Sequence, residues 1–318
     1  MNFTKDSINI DPAKEADEIT SRLKKSVAKK LKKRGAIVGI SGGIDSSVVL
    51  ALCAKAFGPE RVLGVMMPES DSNPDSLDLA KNLSDKLNTK YLIEDMTATL
   101  AGFNCYNRRD EAIKNVFPEF NSTYKAKITL PTNLLEKETL NVFQLTIITP
   151  KGEVKSERLP LKEYLQIVAA SNFKQRSRMS MLYYHAEAKN YAVIGTGNKN
   201  EHEQGFFVKY GDGGADVKPI AHLFKTQVFQ LAEYLEVPEE ICKRTPTTDT
   251  YSAEQTQEEF FFRVPFDILD RVWFGWEQDV PSKQIAEALE LTEENVESIK
   301  RDIQRKIRTT EYLRMEPI

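Results

Sequence analysis

The chain has 318 residues, 29% of them charged, with a formal net charge of −3 and three cysteines. That length allows one large domain or two smaller ones with a sizeable core, and the balanced charge excludes a global basic field that recruits nucleic acid or membrane. Cys53, Cys105 and Cys242 are far apart and form no disulfide framework, residues 1–6 show no signal-peptide pattern, and no apolar run approaches membrane-spanning length, so a cytoplasmic protein is expected.

Residues 11–33 place Ala16, Ile19, Leu23, Val27 and Leu31 at spacings of three and four, which predicts an amphipathic helix. Next, residues 36–40 form a short, continuous, β-branched run that suits a central strand covered on both faces. It leads into Ser41-Gly42-Gly43-Ile44-Asp45-Ser46-Ser47. The glycines allow a sharp turn and close approach of another group. Asp45, Ser46 and Ser47 lie where helix-capping residues are expected, and residues 48–54 carry the helix on. A helix opening from a glycine loop presents free N–H groups and a partial positive charge, which suits phosphate. An ordinary capped turn is the plain alternative. The full run, directly after a buried strand, favours a nucleotide site.

Residues 61–68 predict a second strand, 75–87 a helix and 90–95 a third strand. Alternating β and α units imply a parallel sheet with helices on both faces and ligands beyond the strand C-termini. The loop at 69–74 leaves a strand end; it borders the nucleotide or is plain surface. From Cys105 to Pro160 the rhythm changes. An apolar run within 139–149, a turn at Pro150-Lys151-Gly152-Glu153 and a returning strand at 154–159 predict inserted hairpins of unassigned function. Residues 161–190 return to helical spacing and carry Lys174-Gln175-Arg176-Ser177-Arg178-Met179. Residues 191–194 predict another buried strand, ending in Gly195-Thr196-Gly197-Asn198-Lys199-Asn200-Glu201. The glycine- and charge-rich run at 205–219 follows and faces the same crevice. Residues 222–235 have helical periodicity interrupted by Lys225 and Thr226, and 245–250 read as a loop. Residues 281–296 predict two short helices before a basic end at 300–308. The balanced charge favours a closing helical cap there over a DNA-reading helix-turn-helix. His185, His202 and His222 have no zinc-ligand spacing and read as structural.

The run Ser41–Ser47 is neither the Walker nor the dinucleotide glycine pattern; it resembles the pyrophosphate loop of N-type ATP pyrophosphatases, which cleave ATP between its α and β phosphates. Joined with Arg176–Met179, Gly195–Glu201, Gly205–Asp216 and Thr245-Pro246-Thr247, it is similar to the ammonia-dependent NAD synthetases. The resemblance covers about 35–249 outside the insertion, and its later glycine-rich stretch is the most diagnostic part. It implies a doubly wound parallel sheet of the adenine-nucleotide alpha-hydrolase-like type. A β-hairpin insertion at about 105–160 and a helical C-terminal segment at about 265–318 would belong to a single domain spanning 1–318.

The resemblance further implies a homodimeric ligase for NAD biosynthesis. ATP adenylates the carboxylate of deamido-NAD, and ammonia then displaces AMP; pyrophosphate is the other product. Another amide ligase of the same class acting on a different carboxylate is the alternative, and a non-catalytic nucleotide sensor is a third reading. By position, Asp45 and Glu201 would hold Mg2+ and, with Lys209, form the catalytic set. Gly39, Ile40, Ser41, Gly42, Gly43, Ile44, Asp45, Ser46, Thr196, Lys225 and Thr247 would bind ATP, and Arg176, Lys209 and Asp216 deamido-NAD. Two departures stand out. Gly197-Asn198-Lys199-Asn200 replaces the common Asp-His-Ala-Ala, and the tail lacks the His-Lys pair that often contacts deamido-NAD. No glutaminase module is read in these residues, so ammonia is expected free or from a partner.

Overall fold

In the computed structural model, which describes residues 3–130, 135, 143–247, 251–316 and 318, the first helix is α1 (Pro12–Lys24). The Asp11 carboxylate caps it by accepting from the N–H groups of Ala13 and Lys14. A π-helical segment, Lys25–Lys30, continues it, so the expected helix has two geometries. β1 (Ala36–Gly39), α2 (Ile44–Phe57), β2 (Val62–Met66), α3 (Pro74–Lys86) and β3 (Lys90–Ile93) follow. One expectation is corrected. Gly43 caps α2 without a side-chain bond, while Asp45, Ser46 and Ser47 lie inside its first turn. The hydroxyls of Ser46 and Ser47 donate back to the Gly43 carbonyl at 2.9 and 2.8 Å, which removes them as caps.

α4 (Thr97–Gly102) follows, and a second expectation is corrected: the insertion expected as hairpins from Cys105 opens with a helix, α5 (Cys105–Lys114), in a stretch whose charge hid its helical spacing. The inserted strands are β4 (Lys125–Thr129), β5 (Gln144–Ile148) and β6 (Val154–Arg158). β5 and β6 pair antiparallel as the sequence predicts, turning through Gly152 at φ +83°. β4 adds a third strand on the other side of β5. Residues 139–142 of the expected apolar run lie outside the described residues, as do 248–250 of the expected loop. The chain continues through α6 (Leu161–Lys189), β7 (Ala192–Ile194), α7 (Lys199–Gln204), α8 (Lys225–Tyr234), α9 (Glu239–Cys242), α10 (Phe266–Glu277), α11 (Ser282–Leu289) and α12 (Glu293–Thr309). The basic stretch at 300–308 is part of α12.

The main sheet has the order β3-β2-β1-β7, and every pairing is parallel. Alternate residues point to opposite faces. Ala36, Val38, Val62, Met66, Ala192 and Ile194 share one core with apolar residues of α1, α2, α3 and α8. Ile37, Leu63, Val65 and Val193 meet Met179, Leu182 and Ala186 of α6 on the other face. The sheet is therefore doubly wound. Chain order reverses between β1 and β7, so the loops leaving these neighbouring strands diverge and open a crevice.

Two further cores frame that crevice. Ala126, Ile128, Leu145 and Ile147 of the inserted sheet pack on Ile113, Phe117, Phe120 and Ile167, which fastens the sheet to α5 and α6. Phe3 and Ile8 join Phe224, Phe262, Trp273, Ile285, Val296, Ile299 and Ile303 in a helical core. Gln227 donates from Nε2 to the Ile8 carbonyl at 3.0 Å, and Arg271 from Nε to the Lys5 carbonyl at 2.7 Å.

Candidate active site

The loop after β1 has its shape from its own residues. Gly42 sits at φ +73°, and a Cβ there would lie 2.5 Å from the Ser76 carbonyl oxygen on α3. Only glycine meets both conditions. The Ser41 hydroxyl accepts from the Gly43 N–H at 3.3 Å and lies 3.3 Å from the Ser46 hydroxyl. The first N–H groups of α2 have no acceptor within the helix, and no side chain caps them. They leave a preformed anion cradle at the positive end of a 14-residue helix.

The loop after β7 supplies the second half. Asn198 and Glu201 form a capping box: Asn198 Oδ1 accepts from the Glu201 N–H, and Glu201 Oε2 from the Asn198 N–H, both at 3.1 Å. Asn198 is fully buried and donates from Nδ2 to Asp45 Oδ1 at 3.0 Å. One residue thus ties together the carboxylates of the two diverging loops, Asp45 through its side-chain amide and Glu201 through its backbone N–H. Glu201 Oε1 also accepts from Gln257 Nε2 at 3.3 Å. Lys225, at the start of α8, is buried and ion-pairs with Asp45. Its N–H donates to Asn200 Oδ1 at 3.1 Å, and Asn200 in turn donates to Asp270 at 2.6 Å.

Enclosure in the site, reinforced by the nearby Asp45 charge, pushes the Glu201 carboxyl up to about 8. Two carboxylates held together against their repulsion form a hard oxygen donor set that a divalent cation relieves. Among the described residues no three His, Cys, Asp or Glu side chains gather around a metal position. Mg2+ on a nucleotide needs one or two protein carboxylates and takes phosphate and water oxygens for the rest. The donor set therefore fits that ion.

Asp45, Glu201, Lys225 and Gln257 face one cavity of about 1110 Å³. Every residue that the sequence assigned to ATP lines it except Gly42, which is turned toward α3. Glu69, Ser72, Asn73 and Pro74 line it too, so the 69–74 loop borders the site. Behind that loop Glu69 accepts from the buried Lys174 at 2.9 Å and from the Tyr106 hydroxyl at 2.7 Å, a satisfied polar network that fixes its position.

The three residues assigned to deamido-NAD are not brought into the cavity. Arg176 donates from Nε to the Lys209 carbonyl at 3.1 Å, and Lys209 donates from Nζ to the Tyr312 and Met315 carbonyls at 3.2 and 2.9 Å. Asp216 accepts from the Val193 N–H at 2.9 Å and the Tyr183 hydroxyl at 3.0 Å. Arg178, two residues beyond Arg176, is the arginine of this helix that lines the cavity, anchored by Nε on the Met67 carbonyl at 3.1 Å. Sequence reasoning missed Asn198, Gln257 and Arg178. The Asn-x-x-Glu spacing of a capping box was a legible signal for Asn198; a helical wheel for 161–190 was one for Arg178.

A family model described as NAD synthase matches residues 15–128 and 110–317. An NH(3)-dependent NAD(+) synthetase of Mesorhizobium japonicum is 46% identical over 309 residues, covering 97% of this chain and 97% of the relative. Among solved structures, an NMN synthetase from Francisella tularensis superposes with a TM-score of 0.65 at 22% identity, covering 98% of both chains. An NH3-dependent NAD synthetase from Campylobacter jejuni does so with a TM-score of 0.62 at 24% identity, covering 97% of this chain and 99% of its own. At these identities the two structures establish the shared fold.

Proposed function

The chain belongs to the NAD synthase family, and from that premise we propose that it amidates deamido-NAD to NAD with ATP and ammonia, as an ammonia-dependent NAD synthetase. The observation that carries this reading is the junction of two loops: the cradle of α2 and the carboxylates of Asp45 and Glu201, bridged from behind by Asn198, face one cavity. A polyphosphate needs just such a pairing of N–H donors with cation-binding carboxylates.

The β and γ phosphates of ATP rest on the N–H groups at the start of α2, with Lys225 adding positive charge from α8. Lys225 also neutralises Asp45 when the site is empty of nucleotide, so ATP meets a preorganised charge pattern. Asp45 and Glu201 are the residues that hold Mg2+. When bound, the ion withdraws charge from the phosphates and eases departure of pyrophosphate. The deamido-NAD carboxylate attacks the α-phosphorus, pyrophosphate leaves and an acyl-adenylate forms. Ammonia adds to the acyl carbon, a proton is lost to solvent or a basic group, and AMP departs with the electron pair of the broken acyl–oxygen bond. Asn198 holds the two carboxylates at fixed separation throughout.

The whole chain acts as one catalytic domain in this reading, as a homodimer in the cytoplasm. Among the described residues no helix is long and apolar enough to cross a membrane. The test is a coupled assay with ATP, Mg2+, ammonium and deamido-NAD in which NAD and pyrophosphate are measured together. Equal amounts of the two support the reading; turnover of another carboxylate but not deamido-NAD refutes it. Asp45→Ala and Glu201→Ala should each abolish the Mg2+-dependent step, and wild-type rates in either would sink the metal assignment.

A further inference from the structure

The insertion reaches the cavity through Leu130 and Phe143, which flank its strands β4 and β5. Phe143, directly before β5, stacks on Tyr164 of α6 with ring centroids 4.4 Å apart and planes 23° from parallel. Tyr251 and Phe260 form a second ring pair, with centroids 5.5 Å apart. All four rings line the cavity and are backed by the core of the insertion. Rings fixed from behind and open in front offer a stacking face at low entropic cost.

α6 shows where this wall lies. Tyr164, Val168, Gln175, Met179 and Leu182 line the cavity at spacings of four, seven, four and three, a single stripe along one helix face. Leu182 packs against Gly39 at the end of β1, beside the phosphate cradle. Tyr164 is 18 positions earlier, so the trough runs roughly 27 Å along the helix at 1.5 Å per residue. The phosphates of ATP occupy one end, and the aromatic wall stands at the other. Between them, Asn172 and Gln175 face the cavity, and among the described residues neither side chain has a hydrogen-bond partner. Half-buried amides left open to a ligand beside aromatic faces are the chemistry that recognises a heteroaromatic ring bearing polar edges.

We propose that the insertion, through Phe143, completes a substrate-recognition wall: Phe143 and Tyr164, with Tyr251 and Phe260, stack on a planar ring of the dinucleotide substrate, and Asn172 and Gln175 of α6 read its polar groups. The inference rests on the function proposed above, because the dinucleotide is the substrate that has a ring to spare for the far end of the trough.

The experiment compares wild type with Phe143→Ala, Phe143→Tyr and Asn172→Ala in the NAD-forming assay, with KM measured separately for deamido-NAD and ATP. Loss of one stacking face should raise the deamido-NAD KM about tenfold and leave the ATP KM within about twofold. Phe143→Tyr should restore it. Asn172→Ala makes no packing change in the insertion core and should raise the same KM roughly threefold, about half the free energy of the stacking loss; it carries the test if Phe143→Ala does not fold. A rise confined to ATP assigns the wall to the adenine of ATP and overturns the proposal, as do equal rises for both substrates or no change. If the wild type forms no NAD, the functional reading fails and this inference with it. If the wild type is active and the variants keep the deamido-NAD KM, the inference alone fails.

Discussion

Replacing Gly42 by alanine puts a methyl group where the structure has no room and a backbone angle where L-residues are strained. At φ +73° the strain is about 1 kcal/mol. The new Cβ would lie 2.5 Å from the Ser76 carbonyl oxygen and 3.1 Å from the Ser76 Cα, both of them backbone atoms at the start of α3. Overpacking of that kind costs about 1–3 kcal/mol, so a loop that stays in place loses about 3 kcal/mol in total. For a chain of this size the melting temperature should fall by roughly 5 °C. If the loop moves instead, the cradle shifts by about 1 Å and ATP use drops by as much as ~10²-fold. Gly43→Ala is the control, since Gly43 has φ −91° and its Cβ would meet only the Ser41 hydroxyl, at 3.3 Å. Differential scanning calorimetry and the ATP KM of both variants decide the matter. A Gly42→Ala protein with wild-type melting and wild-type ATP KM would refute the reasoning, as would a Gly43→Ala protein whose melting temperature falls as far.

Asn198→Ala removes the donor to Asp45 and the cap of α7, so it should lose about 1 kcal/mol of stability and most of the Mg2+-dependent rate; full activity at saturating Mg2+ would count against the bridging role. Glu201 has a folded-state carboxyl raised to about 8, above its unfolded value, so the folded state holds the extra proton in between. The ligand-free protein should therefore lose stability as pH rises from about 4.5 to about 8, and Glu201→Gln should flatten that slope in thermal melts at pH 6 and 8.5. Binding of Mg2+–ATP should release protons below pH 8, which calorimetry in two buffers of different ionisation enthalpy measures. Lys209→Ala should weaken deamido-NAD use while leaving ATP binding measurable. It also frees the Tyr312 and Met315 carbonyls, so limited proteolysis should cut more readily within 310–316; equal loss of ATP and deamido-NAD binding would place the lysine elsewhere.

The parallel sheet was legible because each strand is a short buried run followed by its own turn signal, and buried parallel strands have few other readings. The phosphate cradle was legible because it is local: seven consecutive residues make it. Asp45 shows the limit of such reading. Its residue type suits a cap, but its neighbours across the crevice, Asn198 and Lys225, are 153 and 180 positions away and redirect it. α5 escaped because Asn107, Arg108, Arg109, Asp110 and Glu111 crowd its sequence and only Cys105, Ala112 and Ile113 are buried. α10 escaped because its packing partners come from both Phe3 and α12. The aromatic wall was the hardest to read. Phe143, Tyr164, Tyr251 and Phe260 come from three separate stretches, and only tertiary packing sets them on one side of one cavity.

The helical core built on Trp273 has a consequence for the order in which the protein is made. Phe3 and Ile8 are made well before their packing partners, which run to Ile303. Contacts of such long sequence separation form slowly, because the loop must close before they gain anything. The parallel sheet can assemble while synthesis continues, but Phe224, the residue before Lys225, is part of the late core. Lys225 therefore sits at a seam: α8 beyond it packs in the sheet core, while Phe224 before it completes its packing only when residues near Phe3 and near Ile303 meet. Bulk placed directly ahead of Phe3 would therefore be felt at Lys225, although the two are more than two hundred residues apart in sequence.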